Sequence, residues 1–205
     1  FDSDGASAER VAAELKARGD RAIAAQLDVT DAGSIRPAIE AAAKSFGHID
    51  ALVNCAGITG RTNIPAGEVD IEDFERVYRV NLLGALLLSQ AVLPHMLRRR
   101  YGRLLHIASI AGKEGNAGMT AYSATKAALI GAIRAWALEL GPYNITVNCL
   151  APGPFLTDLP LGLLSQAEKD AFAARPALKR WAEPRELAGP ALMLASEAGS
   201  YVTGT

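Results

Sequence analysis
The chain has 205 residues and a net charge of −1; 50% of its residues are hydrophobic and 21% charged. That length carries one α/β domain with a single large core, and the balanced charge supplies no general field for nucleic acid or an anionic membrane. The one dense basic run, Arg98-Arg99-Arg100, falls where a long helix should end and cations complement the helix dipole. The apolar run Leu82–Leu88 is too short to span a bilayer and carries Gly84, and the first residues do not read as a signal peptide. Cys55 and Cys149 lie in apolar, strand-like runs and are expected to be buried free thiols of a reducing compartment, with the cytoplasm as the address. His48, His95 and His106 have neither ligand spacing nor a cysteine partner, so no metal site is expected.

In chain order, a first helix is predicted from about Asp4 to Arg18, stopped by Gly19, and a strand over Arg21–Leu27. Thr30 is placed as the cap of a second helix ending at Phe46-Gly47, and Ile49–Asn54 reads as a short buried strand. A polar loop from Gly57 to Gly67 leads to a long helix over Asp70–Arg100. A strand at Arg103–Ala108, a helix at about Met119–Leu140 and a strand at Ile145–Leu150 follow. Ala151–Arg180 is rich in Pro, Gly and Leu; a last helix begins near Pro184, and Tyr201–Thr205 opens a final strand. Alternating helix and strand predicts a doubly wound parallel sheet in a single domain.

No initiator Met opens the chain, and no glycine-rich strand-to-helix turn of the pyrophosphate-cradling kind occurs in it. The Gly57-Ile-Thr-Gly60 segment does not serve, because a proline-containing loop follows it. The chain therefore reads as an internal piece of a longer protein, cut at both ends and lacking a first strand–helix–strand unit. On that reading this piece alone should bind a dinucleotide poorly.

The chemistry concentrates in Tyr122-Ser-Ala-Thr-Lys126. Residues at i and i+4 share a helix face, so the phenol and the ammonium enter the same space. A free Tyr titrates near ~10 and a nearby cation favours phenolate, so the pair is expected to lower the Tyr pKa toward neutrality; a shift of ~3 units corresponds to roughly 4 kcal/mol. Such a Tyr exchanges protons with a substrate hydroxyl. Ser109 ends a strand on the edge where open α/β sheets bind ligands, placed to hold a substrate oxygen beside the phenol. Asn81 is an amide inside a helix, a poor choice for propensity or packing.

With Asn54-Cys55-Ala56-Gly57, Asp28-Val29 and Pro152-Gly153, these residues resemble, in order and approximate spacing, the classical short-chain dehydrogenase/reductase family, over essentially all of the chain. The resemblance implies a Rossmann-like fold and an NAD(P)-dependent enzyme interconverting a secondary alcohol and a ketone. It implies Tyr122 as general acid/base, Lys126 as the ribose ligand that lowers the Tyr pKa, Ser109 as positioner of the substrate oxygen, and Asn81 as holder of a proton-relaying water. Asp28 and Val29 would contact the adenine; Asn54, Ala56 and Gly57 would line the cofactor with Pro152 and Gly153, and Thr157 would bind the carboxamide. Cys55 replaces a second Asn often found there. Asp2 and Asp4 would repel a 2′-phosphate, a lean toward NAD. The segment after Pro152-Gly153 is similar to that of 3-oxoacyl reductases and of sugar or polyol dehydrogenases.

Two further expectations follow. The long helices carrying Leu82–Leu88 and Ile130, Ile133, Trp136 and Leu140 are apolar beyond one stripe each, which, with the resemblance, implies a homodimer or homotetramer. Residues 154–180, with Phe155, Leu156, Leu159, Leu161, Leu163 and Leu164 inward and Glu168, Lys169 and Asp170 outward, are expected to form a substrate lid. The alternative class is a catalytically silent, nucleotide-sensing or scaffolding relative; such proteins typically lose the Tyr or the Lys, and both are present here.

Overall fold
The structure, a computed structural model, describes residues 1–157 and 164–205. Helix α1 (Gly5–Ala17) begins at Asp4, whose carboxylate accepts the N–H groups of Ala6 and Ser7, the usual device for satisfying first-turn donors. The predicted strand at Arg21–Leu27 is reduced to one bridge, Asp2 with Gln26. A strand persists only where a neighbour supplies a ladder, and here Asp2 alone pairs, donating to Ala25 O and accepting from Leu27 N. Helix α2 (Ala32–Phe46) is capped by Asp31, one residue later than expected, and ends at Gly47 in the left-handed region. Thr30 instead gives both its N–H and its hydroxyl to the Asp28 carboxylate, each at 2.8 Å.

Strands β1 (Ala51–Asn54), β2 (Gly102–Ile107) and β3 (Ile145–Leu150) pair in that order, all parallel. Between β1 and β2 run helix α3 (Ile71–Tyr78), a single wide π turn (Arg79–Leu83) and α4 (Gly84–Arg99). A short helix α5 (Ala111–Glu114), absent from the sequence expectation, and α6 (Thr120–Leu140) connect β2 to β3. Alternation along the central strand sends Leu104 and Leu105 to opposite faces, and both are fully buried. Leu104, Ile145 and Val147 meet Ile35 and Ile39 of α2, Val92 and Met96 of α4, and Leu129 and Ile133 of α6. The other face is covered by helix α8 (Ala188–Leu194), which packs on β2 and β3. The buried Arg103 guanidinium ties the following segment down, reaching Ser196 O at 3.3 Å and Glu197 at 3.0 Å. Helices thus lie on both faces of a parallel sheet, as the alternating pattern predicts.

Three expectations need correction. Tyr201–Thr205 runs along β3 without completing a ladder: Gly204 N reaches Val147 O and Cys149 N reaches Thr205 O, both at 2.8 Å, but Val147 N is taken by the Thr203 hydroxyl. Residues 71–99 form one continuous helix, as predicted over Asp70–Arg100, but it is long and apolar enough by length and composition to cross a membrane, where the sequence reading counted only the short run Leu82–Leu88. Its buried side chains belong to the common core, and α4 packs on α2, β1 and β2, so it is accounted for inside the domain. Finally, Cys55 is solvent-exposed and Cys149 half-buried, because the apolar runs that carry them end at the open edge of the sheet. Both are free thiols.

Residues 151–157 and 164–182 are not structureless. Ser165 and Glu168 form a capping box that starts helix α7 (Gln166–Ala174). Its carbonyl at Lys169 accepts the Trp181 indole N–H at 2.9 Å, and Phe172 packs on Trp181. Phe155 bridges Ala182, closing the base of the segment. The inward Leu159, Leu161 and Leu163 of the expected lid lie outside the described residues.

Candidate active site
The carboxyl ends of β1 and β2 and the amino-terminal half of α6 converge on one place. Beyond β1, the Asn54 carboxamide oxygen accepts the Ala56 N–H at 3.1 Å and bends the chain into a turn. Asn81 grips that turn from the other side: Ile58 N donates to its Oδ1 at 2.9 Å, and its Nδ2 donates to Ile58 O at 3.0 Å. The same Nδ2 reaches the Thr125 hydroxyl at 3.2 Å. Asn81 is 1% exposed and sits in the π turn. Single π turns inside α-helices concentrate at functional sites, and this one delivers a fully buried amide behind the turn that follows β1.

Lys126 is as thoroughly enclosed, 4% exposed. Its Nζ donates to Ile107 O at 2.7 Å and lies 5.7 Å from the Tyr122 ring centroid. A Cβ at Gly57 would stand 3.3 Å from Nζ and 3.5 Å from Asn81 Oδ1, so Gly57 leaves the ammonium open toward the cleft. Ser109, buried, accepts the Ala111 N–H on its hydroxyl oxygen at 3.1 Å, and its hydroxyl lies near enough to the Tyr122 phenol to pull that group's pKa downward. What holds Ser109 and Tyr122 together is the seating of α5 on α6. A Cβ on Gly112 would lie 2.7 Å from the Lys126 carbonyl carbon, closer than real contacts allow, so only glycine permits this approach.

The electrostatics depart from expectation. Burial pushes the Tyr122 phenol above its ordinary pKa, partly offset by the Ser109 hydroxyl. Burial also brings Lys126 down to about 8. The predicted lowering of Tyr122 by Lys126 is not found: desolvation disfavours both charged forms, and Nζ is turned onto Ile107 O rather than the phenol oxygen. At neutral pH the protein therefore presents a protonated phenol beside a hydroxyl, with an ammonium still mainly charged. Chemically, that set is equipped to give a proton to an oxygen placed beside Ser109.

The residues expected along a cofactor divide into two groups. Asp28, Val29, Asn54, Ala56 and Gly57 all line one cleft of about 940 Å³, which Asp2 also borders. The Asp28 carboxylate is held below its usual range by its bonds to Thr30. Pro152 follows β3, its carbonyl accepting Ile110 N at 3.0 Å, so Pro152-Gly153 flanks the strand end that carries Ser109. Thr157 is exposed, its N–H bonded to Phe155 O at 2.9 Å. A dinucleotide fits what the chain offers here. Lys126 has three N–H donors, and Ile107 O is its one hydrogen-bond acceptor among the described residues.

Sequence reasoning misses Thr125 and Ser89 and the role of His106. Thr125, 2% exposed, bonds Asn81 from the same helix face as Tyr122; its i+3 spacing was a usable signal. His106 was assessed only as a metal ligand, and Ser89 not at all. Both are buried polar residues in apolar surroundings, and they join Asn54 through hydrogen bonds of 3.2 Å each. A polar residue inside the apolar run of β2 was the sign to follow.

Comparisons with known proteins agree with this geometry. A family model described as enoyl-(acyl carrier protein) reductase matches residues 1–205. The 3-oxoacyl-[acyl-carrier-protein] reductase FabG of Thermotoga maritima is 40% identical over 178 residues, which is 87% of this chain and 71% of that protein. Among solved structures, a 7α-hydroxysteroid dehydrogenase complexed with NADH and 7-oxo glycochenodeoxycholic acid superimposes with a TM-score of 0.93 at 33% identity, covering 98% of this chain and 78% of that one. ElxO with NADP bound superimposes with a TM-score of 0.90 at 27% identity, covering 98% and 82%.

Proposed function
Because this chain belongs to the classical short-chain dehydrogenase/reductase family and is an NAD(P)-dependent oxidoreductase acting on CH–OH groups, we propose that it reduces a 3-oxoacyl-type ketone. A sugar or polyol substrate is the second reading. The observation that carries the proposal is the convergence of the Tyr122 phenol, held protonated by burial, with the Ser109 hydroxyl and the Lys126 ammonium, whose Nζ lies 5.7 Å from the Tyr122 ring centroid. A phenol held above its ordinary pKa suits proton donation to a ketone oxygen. The nicotinamide cofactor supplies the hydride. Ser109 holds the substrate oxygen, Tyr122 delivers the proton to it, and Lys126 turns its remaining donors toward the ribose. Asn81 keeps the Ile58 turn in place and is the proposed anchor for the water that resupplies the proton. Asp2 and Asp28 bring acidity to the cleft, which favours NAD over the 2′-phosphate of NADP.

The test is a panel of ketones, with short 3-oxoacyl thioesters and ketoses, mixed with the full-length protein and NADH or NADPH while absorbance is followed. Oxidation of the dinucleotide with a 3-oxoacyl thioester is expected. A full-length protein that binds dinucleotide yet turns over no carbonyl compound would instead support the silent, nucleotide-sensing reading.

The proposal extends to assembly in the cytoplasm as a homodimer or homotetramer. Ile71, opening α3, and Leu138, near the end of α6, are 68% and 83% exposed, single apolar side chains on the two helices that a second copy would cover. Light scattering at micromolar concentration should return a multiple of the chain mass, and a monomer would remove the idea.

A further inference from the structure
The geometry points to His106 as a positioning residue that sets the cofactor-facing turn through Asn54. His106 is 0% exposed and lies opposite Asn54 in the β1–β2 register. The hydrogen bonds around it admit one arrangement. Asn54 Oδ1 is occupied by the Ala56 N–H, so its Nδ2 is the atom facing His106 Nδ1 at 3.2 Å. An amide nitrogen only donates, and Nδ1 must therefore accept. The ring proton is then on Nε2 and is given to Ser89 Oγ at 3.2 Å. Ser89 passes its own hydroxyl proton to Ala85 O at 2.8 Å. Each link from Asn54 to α4 thus pairs a donor with an acceptor, and only the neutral Nε2–H tautomer satisfies the chain. The ring is further fixed by Trp136, whose centroid is 5.8 Å away.

Asn54 is 5% exposed, so its Nδ2 has little access to water. Without an acceptor at the Nδ1 position, that buried donor is left unpaired, which is costly enough to rotate the carboxamide. Rotation releases the Ala56 N–H, and with it the turn whose Gly57 faces Lys126 and whose Ile58 is gripped by Asn81. His106 touches neither substrate nor cofactor. It acts by choosing the one Asn54 rotamer that shapes the backbone under the nicotinamide end of the cleft. The role rests on the reading of that cleft as a dinucleotide site.

Two amide substitutions separate positioning from bulk structure, because they place a polar group at different ring positions. The Asn oxygen of His106→Asn can stand where Nδ1 stands, whereas His106→Gln reaches toward the Nε2 position and Ser89. In the full-length protein, NADH and NADPH affinity is measured by nicotinamide fluorescence and exchange of the Ala56 amide by NMR. His106→Gln is expected to weaken dinucleotide binding about tenfold and to speed Ala56 exchange, with His106→Asn near wild type in both. His106→Phe, which fills the space with no acceptor, should repeat the Gln result if the Gln side chain is not accommodated. Equal behaviour of the Asn and Gln variants, or wild-type affinity and exchange in the Gln and Phe variants, overturns the assignment. If wild type binds neither dinucleotide the proposed function fails, while Ala56 exchange still decides the role of His106.

Discussion

Tyr122→Phe is expected to lower turnover by ~10²-fold or more while leaving the fold and dinucleotide affinity close to wild type. The substitution removes one oxygen from a ring that remains packed, and the neighbouring Ser109 hydroxyl still accepts the Ala111 N–H. The Tyr122 carbonyl, which accepts the Thr125 hydroxyl at 3.0 Å, is untouched. What disappears is the proposed proton source for the substrate oxygen. Lys126→Ala should behave differently, damaging turnover and cofactor affinity together, because the same ammonium faces both and because Ile107 O would lose its donor. Steady-state kinetics with parallel dinucleotide titration reads both. A Tyr122→Phe enzyme that keeps most of its activity takes Tyr122 out of the chemistry.

The second large effect concerns acid stability. His106 is pushed down from 6.5 to about 4, chiefly by burial and secondarily by the Lys126 charge. In the unfolded chain it titrates near its ordinary value, so between about pH 6.5 and 4 the unfolded state binds the additional proton. Stability is therefore fully present above the unfolded value and falls as the pH drops through this window, by about 3 kcal/mol once the pH reaches the folded value. Protonation also converts Nδ1 from acceptor to donor, facing the Asn54 amide nitrogen. Urea unfolding at pH 7 and pH 4.5, compared between wild type and His106→Asn, isolates this share because the variant carries no titrating group there. Equal losses in the two proteins would assign the acid sensitivity elsewhere.

Legibility in the sequence followed the range of the interaction. Tyr122, Lys126 and Ser109 could be read together because helix periodicity and a strand end are local facts. Asp4 and Gly47 announce helix ends for the same reason. Asn81 stood out as an amide in an apolar helix, yet the π turn that carries it was invisible, because the wide turn accompanies bonds to Ile58, a loop residue distant in sequence. The direction of the Tyr122 shift was misjudged because burial, which opposes ionisation, is a tertiary quantity that the Tyr–Lys spacing does not contain. His106 was opaque on similar grounds: its partner depends on β1 lying beside β2 in one register. Strand Arg21–Leu27 had the composition of a strand but little to pair with, and composition alone does not make a ladder.

The wide turn at Arg79–Leu83 also bears on how this helix can change. There the Gly84 N–H reaches back to Arg79 O, one residue farther than in an α-helix, so one residue more is accommodated than the regular spiral would hold. Deleting a single residue from this stretch would restore regular winding and, by helix energetics alone, make a better helix. It would also rotate everything on one side of the cut by about 100° relative to the other. Either α3 would lose its seat on α6 or α4 its seat on the sheet, and the Asn81 amide would swing away from Ile58. On the proposed role of Asn81, the irregularity is a stability cost retained for function, and substitutions that regularise this helix should be sought among inactive variants rather than improved ones.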